Sequence, residues 1–326
     1  MYNELGQTRL KDGPATVARI DGPDVEWGER LVPFLQHKGR PWNWQIRETL
    51  LGDVGRLGAH YYIAHRGEEI LSNVANWEHA GAGNFGHVFT QPEHRRKGAC
   101  KAIMDLQMAD FRRRGGRALF LNTGYTSVAY YIYRSFGFES VFPESGYMHY
   151  YSKDQASFER AYYAEGAARI RDIEWADWAS LSTLLSSSQG AHLRLSSACI
   201  NGRYLFEHGF LDFYQGLLGD PRRRASVAEV ESSHSVVGVA HLEPDARFGG
   251  AVDVVDLFVH PRHADKAAPL LSSLEVDPSR KTQAYVGSDD GPGRAAFEAA
   301  GFKPEAVLKN QLASPAGTLD VTIFSR

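Results

Sequence analysis

Apolar positions along the chain alternate between helical and strand periods. From Trp27 they fall at Leu31, Phe34 and Leu35, the three-and-four spacing of one helix face. The stretch WNWQIRETLLG predicts a second helix, which Gly52 ends. Residues 59–79, AHYYIAHRGEEILSNVANWEH, read as a hairpin with Arg66 and Gly67 at the turn. NFGHVFT, residues 84–90, is a further strand. Ala99, Ala102, Ile103, Leu106 and Phe111 then predict an amphipathic helix over 98–114, stopped by Gly115 and Gly116. RALFLNT is a short continuous apolar strand, and SVAYYIYRSFGF is a helix that closes at Gly137. Strands around Phe138–Phe142 and Tyr147–Tyr151 complete this half, which is mixed α/β in character.

Residues 152–167, SKDQASFERAYYAEGA, are polar with helical character, and after them the pattern restarts. ATVARIDGPDVEW near residue 15 is echoed by AARIRDIEWADW near 167, VFTQPEH by LFVHPRH, and YRSFGF by FEAAGF. Pro92 and Pro261 stand 169 residues apart, and Gly137 and Gly301 stand 164 apart. Near-constant offsets over separate landmarks predict two copies of one β/α unit. The expected division is 1–153, a linker at 154–166, and 167–326.

The bulk properties narrow the possibilities. A chain of 326 residues, 43% hydrophobic and 23% charged, suits two globular domains. A net charge of −3 argues against a general polyanion binder, so no nucleic-acid partner is expected. MYNELGQTRLKDG has no apolar leader and no run of eighteen apolar residues occurs, so neither export nor membrane association is expected. Cys100 and Cys199 show no disulfide or zinc spacing, and a cytoplasmic setting is the default.

Candidate chemistry concentrates in VFTQPEHRRKGACKAIM, residues 88–104. Arg95, Arg96 and Lys97 precede Gly98, and Ala99 and Cys100 keep the first turn of the next helix small. A helix start presents unpaired backbone N–H groups and the positive end of the dipole, so this turn suits a pyrophosphate. A solvated basic turn is the alternative. The order strand, PEHRRKGAC, helix resembles the acetyl-CoA signature of the GNAT acetyltransferase superfamily: Arg or Gln, two residues, Gly, one residue, then Gly or Ala. Cys100 departs from that pattern but is still small. AYYIYRSFGF resembles the family's fourth-helix motif through Ala129, Ile132, Tyr133, Gly137 and Phe138.

The resemblance implies two tandem GNAT folds, each a mixed, mostly antiparallel sheet flanked by helices. It implies that the strand before the loop splays from its neighbour, so that backbone around Val88, Phe89 and Thr90 pairs with a pantetheine arm. The loop Arg95, Arg96, Lys97, Gly98, Ala99, Cys100 and Lys101 then holds the pyrophosphate. Asn122, Thr123 and Tyr130 flank the ligand. Acetyl passes directly to a bound primary amine, with Tyr133 as the acid for the leaving thiolate and His87 as the base. Glu78 and His79 are weaker candidates for the base, and a low-pKa amine needs none.

Other features carry less. FRRRGGR reads as cations at a helix C-terminus, and PRRRA at 221–225 as a turn. His260 and His263 lack partners for a metal set, so no metal is expected. HKGRPWNW falls where the family builds part of its acceptor site. Trp42 and Trp44 are therefore either an acceptor wall or core. In the second copy, PRHADKAAPL puts Asp265 where the first has its cations, and Phe297 replaces Tyr133. That copy is expected to keep the fold and lose acyl-CoA. The expected activity is N-acetylation of a small-molecule or peptide amine by acetyl-CoA, in a monomer or homodimer. The alternatives are another acyl-CoA, a hydroxyl or thiol acceptor, or an acyl-CoA sensor without turnover.

Overall fold

The computed structural model describes residues 1–326, the side chain of Phe248 excepted. Met1–Phe158 with Glu174–Ser180 form one compact unit, and Glu159–Ile173 with Leu181–Arg326 form a second. The first unit runs β1 (Tyr2–Leu10), β2 (Gly13–Asp21), α1 (Val25–Leu35), α2 (Trp42–Leu51), β3 (Gly58–Arg66), β4 (Glu69–His79), β5 (Ala82–Thr90), α3 (Ala99–Arg113), β6 (Ala118–Asn122), α4 (Val128–Ser135), β7 (Glu139–Ser140) and β8 (Tyr147–Tyr151). Its sheet has the order β1-β2-β3-β4-β5-β6-β8-β7.

Local chemistry explains the elements. Asp24 caps α1 by accepting from the Trp27 N–H at 3.0 Å, and the buried face of α1 is Trp27, Leu31 and Leu35. α3 turns Ile103, Met104, Met108 and Phe111 into a core shared with Tyr62, Val74, Phe85 and Leu119 of the strands and with Tyr130 and Tyr133 of α4. β1 is absent from the sequence reading. Only Leu10 of its nine residues is buried, so this edge strand carries no alternation to read. The hairpin of β3 and β4 turns at Gly67, as expected.

The stretch read as a linker forms α5 (Gln155–Tyr162) and buries Tyr162 and Tyr163. The second unit continues with β9 (Ala168–Asp172), α6 (Asp177–Leu185), β10 (Leu193–Leu195), β11 (Ile200–Asn201), α7 (His208–Gly219), β12 (Arg224–Val230), β13 (Val236–Pro244), β14 (Asp253–Val259), α8 (Ala267–Ser272), β15 (Thr282–Gly287), α9 (Gly291–Ala299), β16 (Lys303–Ser314) and β17 (Gly317–Ser325). The first residues of α6 belong to the first unit.

With β1 set aside, the two sheets have one topology. β2-β3-β4-β5-β6-β8-β7 matches β9-β12-β13-β14-β15-β17-β16 strand for strand. Each has a single parallel pair, β5 with β6 and β14 with β15. The helix before the last two strands also ends alike in both. Gly137 and Gly301 adopt φ of 88° and 84°, and the next N–H returns to the carbonyl of Tyr133 (3.2 Å) or Phe297 (3.0 Å). The chain is thus mixed α/β, with two mixed sheets flanked by helices.

Candidate active site

β5 pairs with β6 only through Ala82–Ala118, Gly83–Leu119 and Asn84–Phe120. Beyond Asn84 the two strands part, and β5 continues alone on that side to Thr90. Its other edge stays on β4, with an irregular step between Asn73 and Ala75. His87 sits at this bulge with φ of 50°, and the Asn73 amide donates to its carbonyl at 3.0 Å. Past the bulge, Val88, Phe89 and Thr90 are half-buried along the opening. Ser72 Oγ donates to the Phe89 carbonyl at 3.0 Å, and Lys38 Nζ donates to the Val88 carbonyl at 3.3 Å.

The opening runs directly into the basic turn. Arg96 and Gly98 both take positive φ, 60° and 104°, and Gly98 caps α3 with no side chain over the helix start. The first-turn N–H groups therefore face outward with the helix dipole behind them, a ready anion cradle. The three cations do not act alike. Lys97 pairs with Asp12 at 2.9 Å, and Arg95 donates to the Thr90 carbonyl at 3.2 Å. Arg96 and Lys101 are exposed, although Lys101 also pairs with Asp105. Asp12 also binds Arg66 at 2.5 Å and His94 at 3.3 Å, and bonds from Arg66 and then Lys97 hold its carboxyl well below the usual range. The turn is thus tied to the β1–β2 hairpin. Ala99 is buried. Burial pushes the Cys100 thiol up to about 11, so Cys100 is a neutral packing group.

Ser127 caps α4 by accepting from the Tyr130 N–H at 3.1 Å. One turn on, the buried Tyr133 ring stands edge-on to Phe85 at 5.3 Å. Phe85 is the first β5 residue past the last pair with β6, so the phenol lies beside the vertex of the opening. The Tyr130 hydroxyl meets Ser140 Oγ at 2.9 Å. Asn122 and Thr123 end β6 across the gap, Asn122 exposed and Thr123 half-buried.

The His87 side chain reaches from β5 toward α2. Its Nε2 is 2.8 Å from Gln45 Oε1, and its ring stands edge-on to Trp42 at 5.3 Å and Trp77 at 4.7 Å. Burial among these rings, with Lys38 and His37 near, drives its pKa well below the ordinary histidine value, so the ring is neutral near pH 7. Trp178, from the segment that belongs to this unit, lies 4.9 Å from Trp77 and 6.4 Å from Trp42. Trp175 lies 4.8 Å from Trp44. Gln45, Trp77 and Trp178, all fully buried, therefore form the surroundings of His87, which the sequence reading missed. Periodicity marks them only as helix or strand members.

Glu78 and His79 lie at the closed end of β5, opposite Gly83 and Ala82, and Arg114 holds the Glu78 carboxylate at 2.7 and 2.8 Å. Arg112, Arg113 and Arg114 do gather at the C-terminal end of α3. Arg112 donates to the Tyr150 hydroxyl at 3.2 Å, and Arg113 and Arg114 hold Asp110.

The second unit repeats the opening. β14 pairs with β15 only through Asp253–Thr282 and Val254–Gln283. The turn that follows has no glycine, Lys266 pairs with Asp265 at 2.7 Å, and α8 is six residues long. A cavity of about 300 Å³ remains there, lined by Leu257, Val259, Ala267, Asp289, Asp290 and Gly293. Asp256, at the place of His87, accepts from Ser196 N at 2.7 Å and Ser197 N at 3.0 Å.

Residues 60–141, from β3 through β7, match the family model described as an acetyltransferase (GNAT) domain. The first unit therefore contains a GNAT acetyltransferase domain. No curated protein matches the chain. Among solved structures, a putative acetyltransferase, yncA of Salmonella typhimurium determined with acetyl-CoA, is 23% identical, covers 49% of this chain and 94% of its own, and superposes with a TM-score of 0.41. An N-acetyltransferase from Staphylococcus aureus gives 15% identity, 49% and 98% coverage and a TM-score of 0.39. The spermidine/spermine N-acetyltransferase SpeG of Vibrio cholerae gives 16%, 49% and 94%, and 0.35. Among the described residues, no helix is long and apolar enough to cross a membrane.

Proposed function

We propose that the first unit transfers acetyl from acetyl-CoA to a primary amine of a small molecule or peptide. The observation that carries this reading is the unbroken path from the open edge of β5 into the Arg96–Gly98 turn and the start of α3. A strand edge that no other strand covers can pair with an extended amide-bearing arm. A helix start with alternating positive φ takes phosphate oxygens. Val88, Phe89 and Thr90 would line the arm, Arg95 to Lys101 the pyrophosphate, and Asn122, Thr123 and Tyr130 the far wall.

Acetyl-CoA supplies the thioester; the amine nitrogen forms the new C–N bond as the C–S bond breaks. In this reading Tyr133 gives its phenolic proton to the leaving sulfur, as a phenol can act as a general acid. His87 is neutral and so free to take the ammonium proton, directly or through water, and its depressed pKa makes it a weak base. Trp42 and Trp44 would form the apolar side of the acceptor site, with the fully buried Trp77 and Trp178 packed behind them. We further propose that the second unit is a copy of the same fold without acyl-CoA binding, because its turn lacks the glycine and has Ala264 and Asp265 where the first has Arg95 and Arg96.

Tyr133→Phe tests the reading. A fall of about 100-fold in kcat with acetyl-CoA affinity unchanged is the expected result, at the low end for loss of a general acid. Unchanged kcat would remove Tyr133 from the chemistry.

A further inference from the structure

We propose that the second unit binds a small organic ammonium compound in a cavity of about 420 Å³ between α7, β13 and the loop carrying Ser197, where His241 and Glu243 present paired hydrogen-bond acceptors against an aromatic wall. The cavity is built entirely from residues of that unit. His241 is 2% exposed, and its Nε2 has no hydrogen-bond partner. A buried polar atom left unpaired costs stability, so one on a residue that lines a cavity calls for an occupant.

The surrounding bonds say what kind. Ser197 Oγ gives its single proton to Asp256, leaving its lone pair to accept from the His241 Nδ1–H, 3.5 Å away. Nε2 is then a bare lone pair on a residue that lines the cavity. Glu243 Oε2 stands 4.0 Å from it and is paired at 2.7 Å with Arg223. Two acceptors this close, with no proton between them, ask for a donor with more than one N–H. An ammonium group satisfies both. Charge agrees: the lining carries Glu243 and Asp212 against Arg223 alone, with Asp256 behind. Phe206, Phe213 and Tyr204 line the same space, and the Phe213 ring meets the His241 ring edge-on at 4.5 Å. Aromatic faces take the apolar body of the ligand and attract its cation.

This site stands apart from the acetyl-transfer reading, since it uses no residue of the first unit and needs no acetyl-CoA. The test is a titration of the full chain, labelled with 13C at the histidine ring, with 2-phenylethylammonium chloride. 2-Phenylethanol and 3-phenylpropionate serve as neutral and anionic controls. The His241 resonance is assigned by its loss in His241→Phe, or in His241→Gln if the first variant does not fold. A saturable shift at His241 with the ammonium compound only, weakened tenfold or more in Glu243→Gln, is the expected result. No saturable shift at millimolar probe would overturn the proposal. An equal shift with the alcohol would also overturn it, by showing an apolar void without charge selection. Binding that perturbs only first-unit histidines places the amine elsewhere and counts against this site.

Discussion

Tyr133 and Phe297 occupy the same turn of equivalent helices, each receiving the N–H that closes the helix after a left-handed glycine. The ring is common to both because both positions are buried; only the first carries a proton to give. That contrast is legible from sequence, since identical spacing to Gly137 and Gly301 sets the two rings in register. The environment of His87 is not legible. Its neighbours Gln45, Trp77 and Trp178 come from three separate segments, and no local pattern announces them. Burial gives His87 and His241 a measurable signature. The His241 pKa is pushed down to about 3 and that of His87 well below its usual value, in both cases first by desolvation. As pH falls below about 6.5, the unfolded chain takes up protons that the folded chain refuses, so stability drops by about 1.4 kcal/mol per pH unit for each such residue. Urea unfolding at a few pH values between about 7 and about 5.5 should show a shallower fall in His241→Asn than in the parent. Parallel slopes would contradict the burial of an uncharged ring there.

At the scale of elements, the site depends on two irregularities: the bulge at His87, which precedes the open edge, and the left-handed pair Arg96 and Gly98, which turns the chain into α3. Sequence marks Gly98 by its place before small residues and an amphipathic helix, a pattern that a solvated basic turn shares. It does not mark β1, whose hairpin places Asp12 against Lys97 and His94, because an edge strand with one buried residue looks like a polar tail. A Cβ on Gly98 would meet nothing closer than Leu10 Cδ2 at 3.9 Å, so Gly98→Ala changes backbone preference and not packing. It should cost about 1 kcal/mol of stability and raise the Kd for acetyl-CoA several-fold, as read by thermal unfolding and calorimetry. Full retention of affinity would mean that the turn does not cradle the ligand.

At the scale of the molecule, a repeat shows in the sequence as near-constant offsets between PEH and PRH and between YRSFGF and FEAAGF, while the shared order of seven strands shows only in the fold. The boundary was less visible. Residues 152–167 are polar enough to suggest a linker, yet Tyr162 and Tyr163 bury completely, and the segment Glu174–Ser180 belongs to the first unit although it follows β9. Tertiary packing of a few aromatic residues decides this, and composition averages over it. The loss of the glycine and the replacement of Arg96 by Asp265 in the second turn predict one acetyl-CoA per chain in equilibrium dialysis. Two equivalents would show that the second opening still binds it.

The central claim is that the first unit moves acetyl to an amine. The most direct test is CoA-thiol release from acetyl-CoA in the presence of a panel of primary amines, with each product weighed by mass spectrometry. The account predicts amine-dependent thiol release that matches, mole for mole, a product heavier by one acetyl group. Tight acetyl-CoA binding with no amine-dependent release across the panel would contradict it and leave a binding protein in its place.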